Sequence, residues 1–231
     1  MLGLYHVPVK ARQALMEMVR NGHDPNWWQL EGPDLPASWR EVIEFESDSA
    51  AIINFESTLV PGLLQTSEYA AAILRGTDPS RTDERIAAMV DTRMSRRALL
   101  AKRDAPTLIA IIDESILLRP AGGPGVMSRQ LRHLAASAKR SNVTVRIVPL
   151  AIGATPGLNG PTALYELRDG HSVVYLETRG SYGFLSEEPA VRRAKIDLHE
   201  LCAVSLAPAE SVQRLLAAAI EMESAPQEQS T

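Results

Sequence analysis

The sequence predicts an α+β fold: a mixed or antiparallel sheet of about four strands within residues 107–177, flanked by helices from both ends of the chain. Three observations carry this expectation. Thr107-Leu108-Ile109-Ala110-Ile111-Ile112 is a continuous apolar run of strand length, the pattern of a strand covered on both faces. Thr162 to Leu167 and Ser172 to Glu177 alternate on either side of Asp169-Gly170, a strong hairpin signal. Outside this region apolar residues recur at helical spacing.

In chain order, Met1 to Val7 is an apolar turn stopped by Pro8 and reads as the last piece of a helix. Val9 to Asn21 forms a helix with Leu15, Met18 and Val19 on one side, closed by Asn21-Gly22. His23 to Pro36 contains Pro25, Pro33, Pro36 and Gly32, which exclude a long regular element. It also holds Trp27-Trp28, aromatic surface that a soluble protein buries. These features divide the chain into a helical appendage (1–26), a main body (27–223) and a polar tail (224–231).

The body opens with helical spacing from Ser38 to Phe55, through Trp39, Val42, Ile43, Glu46, Ala50 and Ile53. Its many carboxylates read as a solvated face, with Glu46 and Glu56 the two that could turn into a pocket. From Phe55 an extended apolar arm reaches Pro61-Gly62, where fixed φ and glycine freedom allow a reversal. Thr66 or Ser67 caps the next helix, which carries Tyr69, Ala72 and Ile73 and stops before Gly76. Asp83 to Lys102 reads as a long helix with Ile86, Met89, Val90 and Met94 on one stripe. Arg93, Arg96, Arg97, Lys102 and Arg103 near its end could touch phosphate, but positive charge there also complements the helix dipole, which is the favoured reading.

After the 107–112 strand, Gly122-Gly123-Pro124-Gly125 starts a helix bearing Met127, Leu131, Leu134 and Ala138, ended by Asn142. Val143 to Val148 is the next strand. Ala151 to Pro161 holds three glycines and two prolines, a surface connection or a lid over a site. Beyond the hairpin, Thr178 to Ser186 reads as a loop with Tyr182 and Phe184. Two helices follow, one with Val191, Ala194, Leu198 and Leu201 on one face, the other starting near Pro208 and carrying Val212, Leu215, Leu216 and Ala219.

Composition bounds the function. A chain of 231 residues, 45% hydrophobic and 23% charged, can build a core without disulfide or metal staples. The single cysteine, Cys202, cannot bridge internally, which suits a reducing cytoplasm. No apolar run approaches the ~18 residues that cross a bilayer, so no membrane partner is expected. A formal net charge of −4 disfavours nucleic-acid binding unless positive charge clusters.

Known catalytic patterns do not fit. The 122–125 glycines lack both the Gly-Lys-Ser/Thr ending of a P-loop and dinucleotide spacing. Five histidines stand singly, so no metal is expected, and no cofactor or catalytic residue either. Asp113-Glu114 is the best carboxylate pair, but adjacent residues after a strand diverge. What remains is a ligand pocket at the strand ends, with Glu56, Gln65, Tyr69, Asp113, Glu114, Arg119 and Tyr182 as its candidates.

Taken together, Phe55-Glu56 leading into Leu59-Val60-Pro61-Gly62-Leu63-Leu64-Gln65-Thr66 and Tyr69-Ala70 form a distinctive run. Asp113-Glu114, Leu118-Arg119-Pro120, Gly122-Gly123, Asn142-Val143-Thr144-Val145, Pro156-Gly157-Leu158, Gly160-Pro161 and Val174-Tyr175-Leu176-Glu177 follow it in order. This set resembles the uncharacterised C-terminal effector domain of XRE-family helix-turn-helix transcriptional regulators of filamentous soil bacteria, and it covers Trp27 to Ile220. Leu2 to Pro8 is similar to the last helix of the DNA-binding domain in that family, whose helix-turn-helix would lie upstream of Met1. The resemblance implies antitoxin-like regulation beside a small partner protein, a homodimer, and a small-molecule effector. DNA would be contacted only through the upstream module. The alternative is a free-standing pocket protein, or a cyclase-like enzyme of specialised metabolism derived from such a regulator.

Overall fold

A computed structural model describes residues 37–178 and 181–224, which fall within one compact unit. The appendage expected over 1–26, the Trp27-Trp28 pair and the tail beyond Ser224 lie outside the described residues. The elements are α1 (Ala37–Asp48), β1 (Ser49–Glu56), α2 (Ser67–Thr77), α3 (Asp83–Arg97), β2 (Thr107–Asp113), the single turn α4 (Ser115–Leu118), α5 (Pro124–Ser137) and β3 (Val143–Val148). They continue with β4 (Thr162–Leu167), β5 (Ser172–Thr178), β6 (Ser181–Leu185), α6 (Glu188–Val204) and α7 (Pro208–Ser224).

The strands form one mixed sheet in the order β3-β2-β1-β4-β5-β6. β1, β2 and β3 are parallel, joined by the helical crossovers that parallel pairing requires. β4, β5 and β6 continue antiparallel. Asp169-Gly170 turns the β4–β5 hairpin: Gly170 has φ of 91°, and the Asp169 carboxylate accepts the His171 N–H at 2.9 Å.

Two strands were not expected. Helical spacing was anticipated through Phe55, yet the helix ends at Asp48 and residues 49–56 become the central strand. Ser49 donates its hydroxyl to the Phe45 carbonyl at 2.6 Å where the helix stops. Beyond it, Ile52, Ile53 and Phe55 are β-branched or aromatic, and ladders to β2 and β4 on both sides override the local helical period. The expected loop over 178–186 contains edge strand β6 instead. Tyr175 pairs with Phe184 there, and the Phe184 ring lies 4.9 Å from Tyr175 and 4.8 Å from Phe45. The sheet therefore has six strands and extends past both ends of the 107–177 window. A smaller difference is that α3 tightens into a 3-10 turn at Ala98–Ala101.

The two sheet faces build separate cores, as a period of two demands. Ile52, Leu108, Ala110, Ile112, Val145, Ile147 and Tyr165 pack against α2, α5 and α7 through Tyr69, Met127, Leu131, Leu134 and Leu215. Phe55, Ile111, Val148, Leu164 and Val174 face α6 through Ala194, Leu198 and Leu201. A one-residue slip of β1 would exchange Ile52 and Phe55 between these layers, so its register is strongly specified. The Gly/Pro-rich connection between β3 and β4 is pinned by Gly157, which is buried. A Cβ there would stand 2.4 Å from the Phe55 ring. That contact makes the segment an anchored connection.

Candidate functional site

β1 lies where the parallel half of the sheet meets the antiparallel half, and its last residue is Glu56. In open α/β sheets the strand end at such a switch is where ligands sit. The chain leaves β1 through Val60 and turns over Pro61 and the 3-10 turn Gly62–Leu64. This turn is fixed by side chains. The Val60 N–H donates to the Tyr69 hydroxyl at 3.1 Å, and Gln65 Nε2 donates to the Val60 carbonyl at 2.7 Å. Gln130 of α5, fully buried, donates to the Leu64 carbonyl at 2.8 Å and accepts the Thr66 N–H at 2.7 Å. Thr66 then caps α2, its hydroxyl accepting the Tyr69 N–H, as the sequence suggested.

α3 brings two arginines against this turn. Arg96 places two N–H groups on the Glu46 carboxylate at 2.9 and 2.6 Å, with both residues buried. The Arg96 guanidinium lies on the turn, since a Cβ at Gly62 would meet it at 3.4 Å. One turn earlier, Arg93 Nη1 donates to Gln65 Oε1 at 2.6 Å while its guanidinium stands 4.8 Å from the Trp39 ring centre. Both arginines therefore continue the inward stripe begun by Ile86 and Met89, and complementing the helix end does not account for them.

Glu56 projects to the same side of β1 as Ile52 and Asn54. Among the described residues its hydrogen-bond partner is Asn54 Nδ2, at 3.5 Å. Phe55, Thr162 and Leu176 are in register across β1, β4 and β5, which sets Glu56 level with Glu177 one strand apart. Their backbones are therefore ~10 Å from each other. Burial pushes the Glu56 carboxyl up to about 8; Asn54 opposes this, Glu177 adds to it and Arg93 opposes it. Burial also draws Arg93 down to about 10, with Arg96 adding to the effect and Glu177 opposing it. The Tyr69 phenol is raised, mainly by burial, and feels Glu56, Arg93 and Arg119. Glu56 and Arg93 are thus both half-buried near the end of β1 and act on each other electrostatically, without forming an ion pair.

Of the seven candidates from the sequence, Glu56, Gln65 and Tyr69 come together here. Arg119 is exposed and reaches Tyr69 only electrostatically. Asp113 closes its own turn, accepting from the Ser115 N–H at 2.9 Å and the Ser115 hydroxyl at 2.5 Å. Glu114 binds Arg214 at 2.8 Å and accepts the Leu150 N–H at 3.0 Å, a structural clasp between β2, β3 and α7. Tyr182 sits on the edge strand 3.5 Å from Glu41. Sequence reasoning missed Asn54, Arg93 and Glu177 as members. The signal for Arg93 was its position four residues after Met89 on the apolar stripe.

The profile of a family described as a domain of unknown function, DUF5753, matches residues 39–217, from α1 into α7. The chain belongs to this family. No curated protein and no solved structure matches it. The residues gathered at the end of β1 in this DUF5753 chain, from Trp39 through Glu177, lie within the matched span. Among the described residues no group of three or more histidine, cysteine or acidic side chains could hold a metal ion, and no helix is long and apolar enough to cross a membrane.

Proposed function

We propose that this DUF5753 chain is the sensing and interaction domain of an XRE-family transcriptional regulator. DNA is read by an N-terminal helix-turn-helix, and the regulator works as a cytoplasmic homodimer, antitoxin-like, beside a small partner protein. The observation that carries the reading is the end of β1, where Glu56 has a long contact to Asn54 and Arg93 rests on the Gln65 amide and the Trp39 ring, with no carboxylate partner among the described residues. A half-buried cation without a counter-charge and a carboxyl with one long contact are both poorly satisfied, so the protein gains when a ligand arrives to satisfy them. That differential is what a sensor needs to shift between two states. The ordered motifs from Phe55 to Glu177 supply the regulatory half of the reading.

The test is operator binding by a chain extended upstream through the helix-turn-helix, with and without small molecules that stabilise residues 1–231. The expected result is specific, salt-dependent binding whose affinity responds to those molecules and no longer responds in Glu56→Gln. Tight operator binding by residues 1–231 alone, or binding indifferent to every stabilising ligand, would refute the sensor.

One observation favours a second reading. A carboxyl that keeps its proton at neutral pH is suited to general-acid chemistry, which would make the end of β1 the site of a cyclase-like enzyme or other pocket protein. Turnover abolished in Glu56→Gln would establish it.

A further inference from the structure

A cationic cluster lies where β2 and β3 begin, at the other end of the parallel strands from Glu56. Two contacts join the end of α3 to the end of α5 there. Arg97 Nη2 donates to His133 Nε2 at 3.0 Å, and Arg140 Nη2 donates to the Leu100 carbonyl at 2.7 Å. Leu100 follows Arg97 by three residues in a 3-10 turn, and Arg140 follows Ser137 by three through an N–H bond to its carbonyl, spacings that keep residues on one face. Ser137, one turn after His133, has its hydroxyl 3.4 Å from the same Nε2. Arg97, His133, Ser137 and Arg140 thus form one strip between the two helices. Among the described residues neither guanidinium meets a carboxylate: Arg97 has His133 and Met94 Sδ, and Arg140 has a backbone carbonyl. Lys102, Arg103 and Lys139 beside them are exposed and form no ion pair among the described residues, while Asp104 turns to Arg168. The two helix C-termini carry about half a negative charge each, enough to offset one of these cations. Half-burial lowers the Arg97 guanidinium and Arg140 lowers it further, so the two positive groups act on each other.

We propose that the strip from Arg97 to Arg140 binds the phosphate monoester of a small ligand. This site stands apart from the sensing reading of the end of β1 and does not depend on it. A tetrahedral dianion accepts from both guanidinium forks at once and matches their double charge, whereas a carboxylate carries one charge and fills one fork. Each arginine is already held by a neutral contact, so binding need not order it. A nucleic-acid backbone fits less well: each diester carries a single charge, and the chain's net charge of −4 repels a polyanion.

The experiment is titration of residues 1–231 with inorganic phosphate, phenyl phosphate and dimethyl phosphate at constant ionic strength. A pH of about 8 keeps the first two as dianions. Binding is followed by the arginine Nε–H NMR resonances and by the thermal midpoint. The expected result is saturable millimolar or tighter binding of phosphate and phenyl phosphate that moves the Arg97 and Arg140 resonances, with dimethyl phosphate weaker by about tenfold or more. Arg97→Lys and Arg140→Lys keep the charge but lose the fork, and each should weaken phenyl phosphate about tenfold, against less than about threefold for Lys139→Gln. Arg140 also holds the Leu100 carbonyl, so the urea midpoint of each variant is measured without ligand. Should Arg140→Lys fail to fold, Arg97→Lys and the resonance shifts of the parent decide the matter. Dimethyl phosphate or duplex DNA binding as tightly as phenyl phosphate would overturn the site. So would the absence of saturable binding at millimolar concentration, or shifts confined to other arginines.

Discussion

Replacing Glu56 by glutamine should make the protein more stable, and the gain should grow with pH. The Glu56 carboxyl is raised from an ordinary 4.5 to about 8, chiefly by burial. At pH 4 the acid is protonated in both folded and unfolded chains and contributes nothing to their difference. Above 4.5 the unfolded chain ionises while the folded chain keeps its proton, so folding loses about 1.4 kcal/mol per pH unit until the folded carboxyl also ionises. The loss reaches about 3 kcal/mol at pH 7 and levels off at about 5 kcal/mol above pH 8. Water reaching the partly exposed side chain screens the charge, so these are upper values. Glutamine has no charge to desolvate. Urea unfolding of both proteins at pH 5 and pH 8 cancels any fixed cost of the amide. The variant should gain up to about 3.5 kcal/mol relative to the parent between those two pH values. Parallel stability–pH curves, or a Glu56 carboxyl resonance titrating near 4.5, would refute the desolvation of Glu56 and with it the binding argument at the end of β1.

Three further outcomes follow from the same framework. Gly157→Ala places a methyl 2.4 Å from the Phe55 ring, which is 1% exposed, and should cost about 1–3 kcal/mol in urea; a Phe55→Leu partner that makes room should recover part of it. Glu46→Gln leaves the buried Arg96 guanidinium without its counter-charge and should cost about 3–5 kcal/mol, read as a lower denaturation midpoint with an unchanged slope. Gln130→Leu orphans the Thr66 N–H and the Leu64 carbonyl. It should cost about 1–3 kcal/mol and accelerate hydrogen exchange at Thr66 more than at β2 amides.

The sequence was most legible where one local pattern decided the outcome. β2, β3, the Asp169-Gly170 hairpin, the Thr66 cap and the helices around Leu131 and Leu198 all stand where their residues predict. It misled where tertiary pairing outweighed the local period. Residues 49–55 carry a helical spacing that continues from α1, and only the strands on both sides of them make Ser49–Glu56 a strand. β6 is the converse case. It is an edge strand held by one neighbour, with Gly183 at its centre, and its only local sign was Tyr182 and Phe184 two residues apart.

The candidate site divides along the same line. Gln65 and Tyr69 were readable because they belong to the turn that they hold together. Asp113 and Glu114 attracted notice as adjacent acids, and the structure turns them to Ser115 and to Arg214 and Leu150. Arg93 was hidden because a cation near a helix C-terminus already has a sufficient local explanation. Only the fold distinguishes it from Arg96 three residues on. Arg96 has a carboxylate pressed against it, whereas Arg93 has an amide oxygen and an indole face. In a buried site the residue with the poorer partner is the one positioned to take a better one, and that contrast makes Arg93 the functional candidate and Arg96 part of the scaffold.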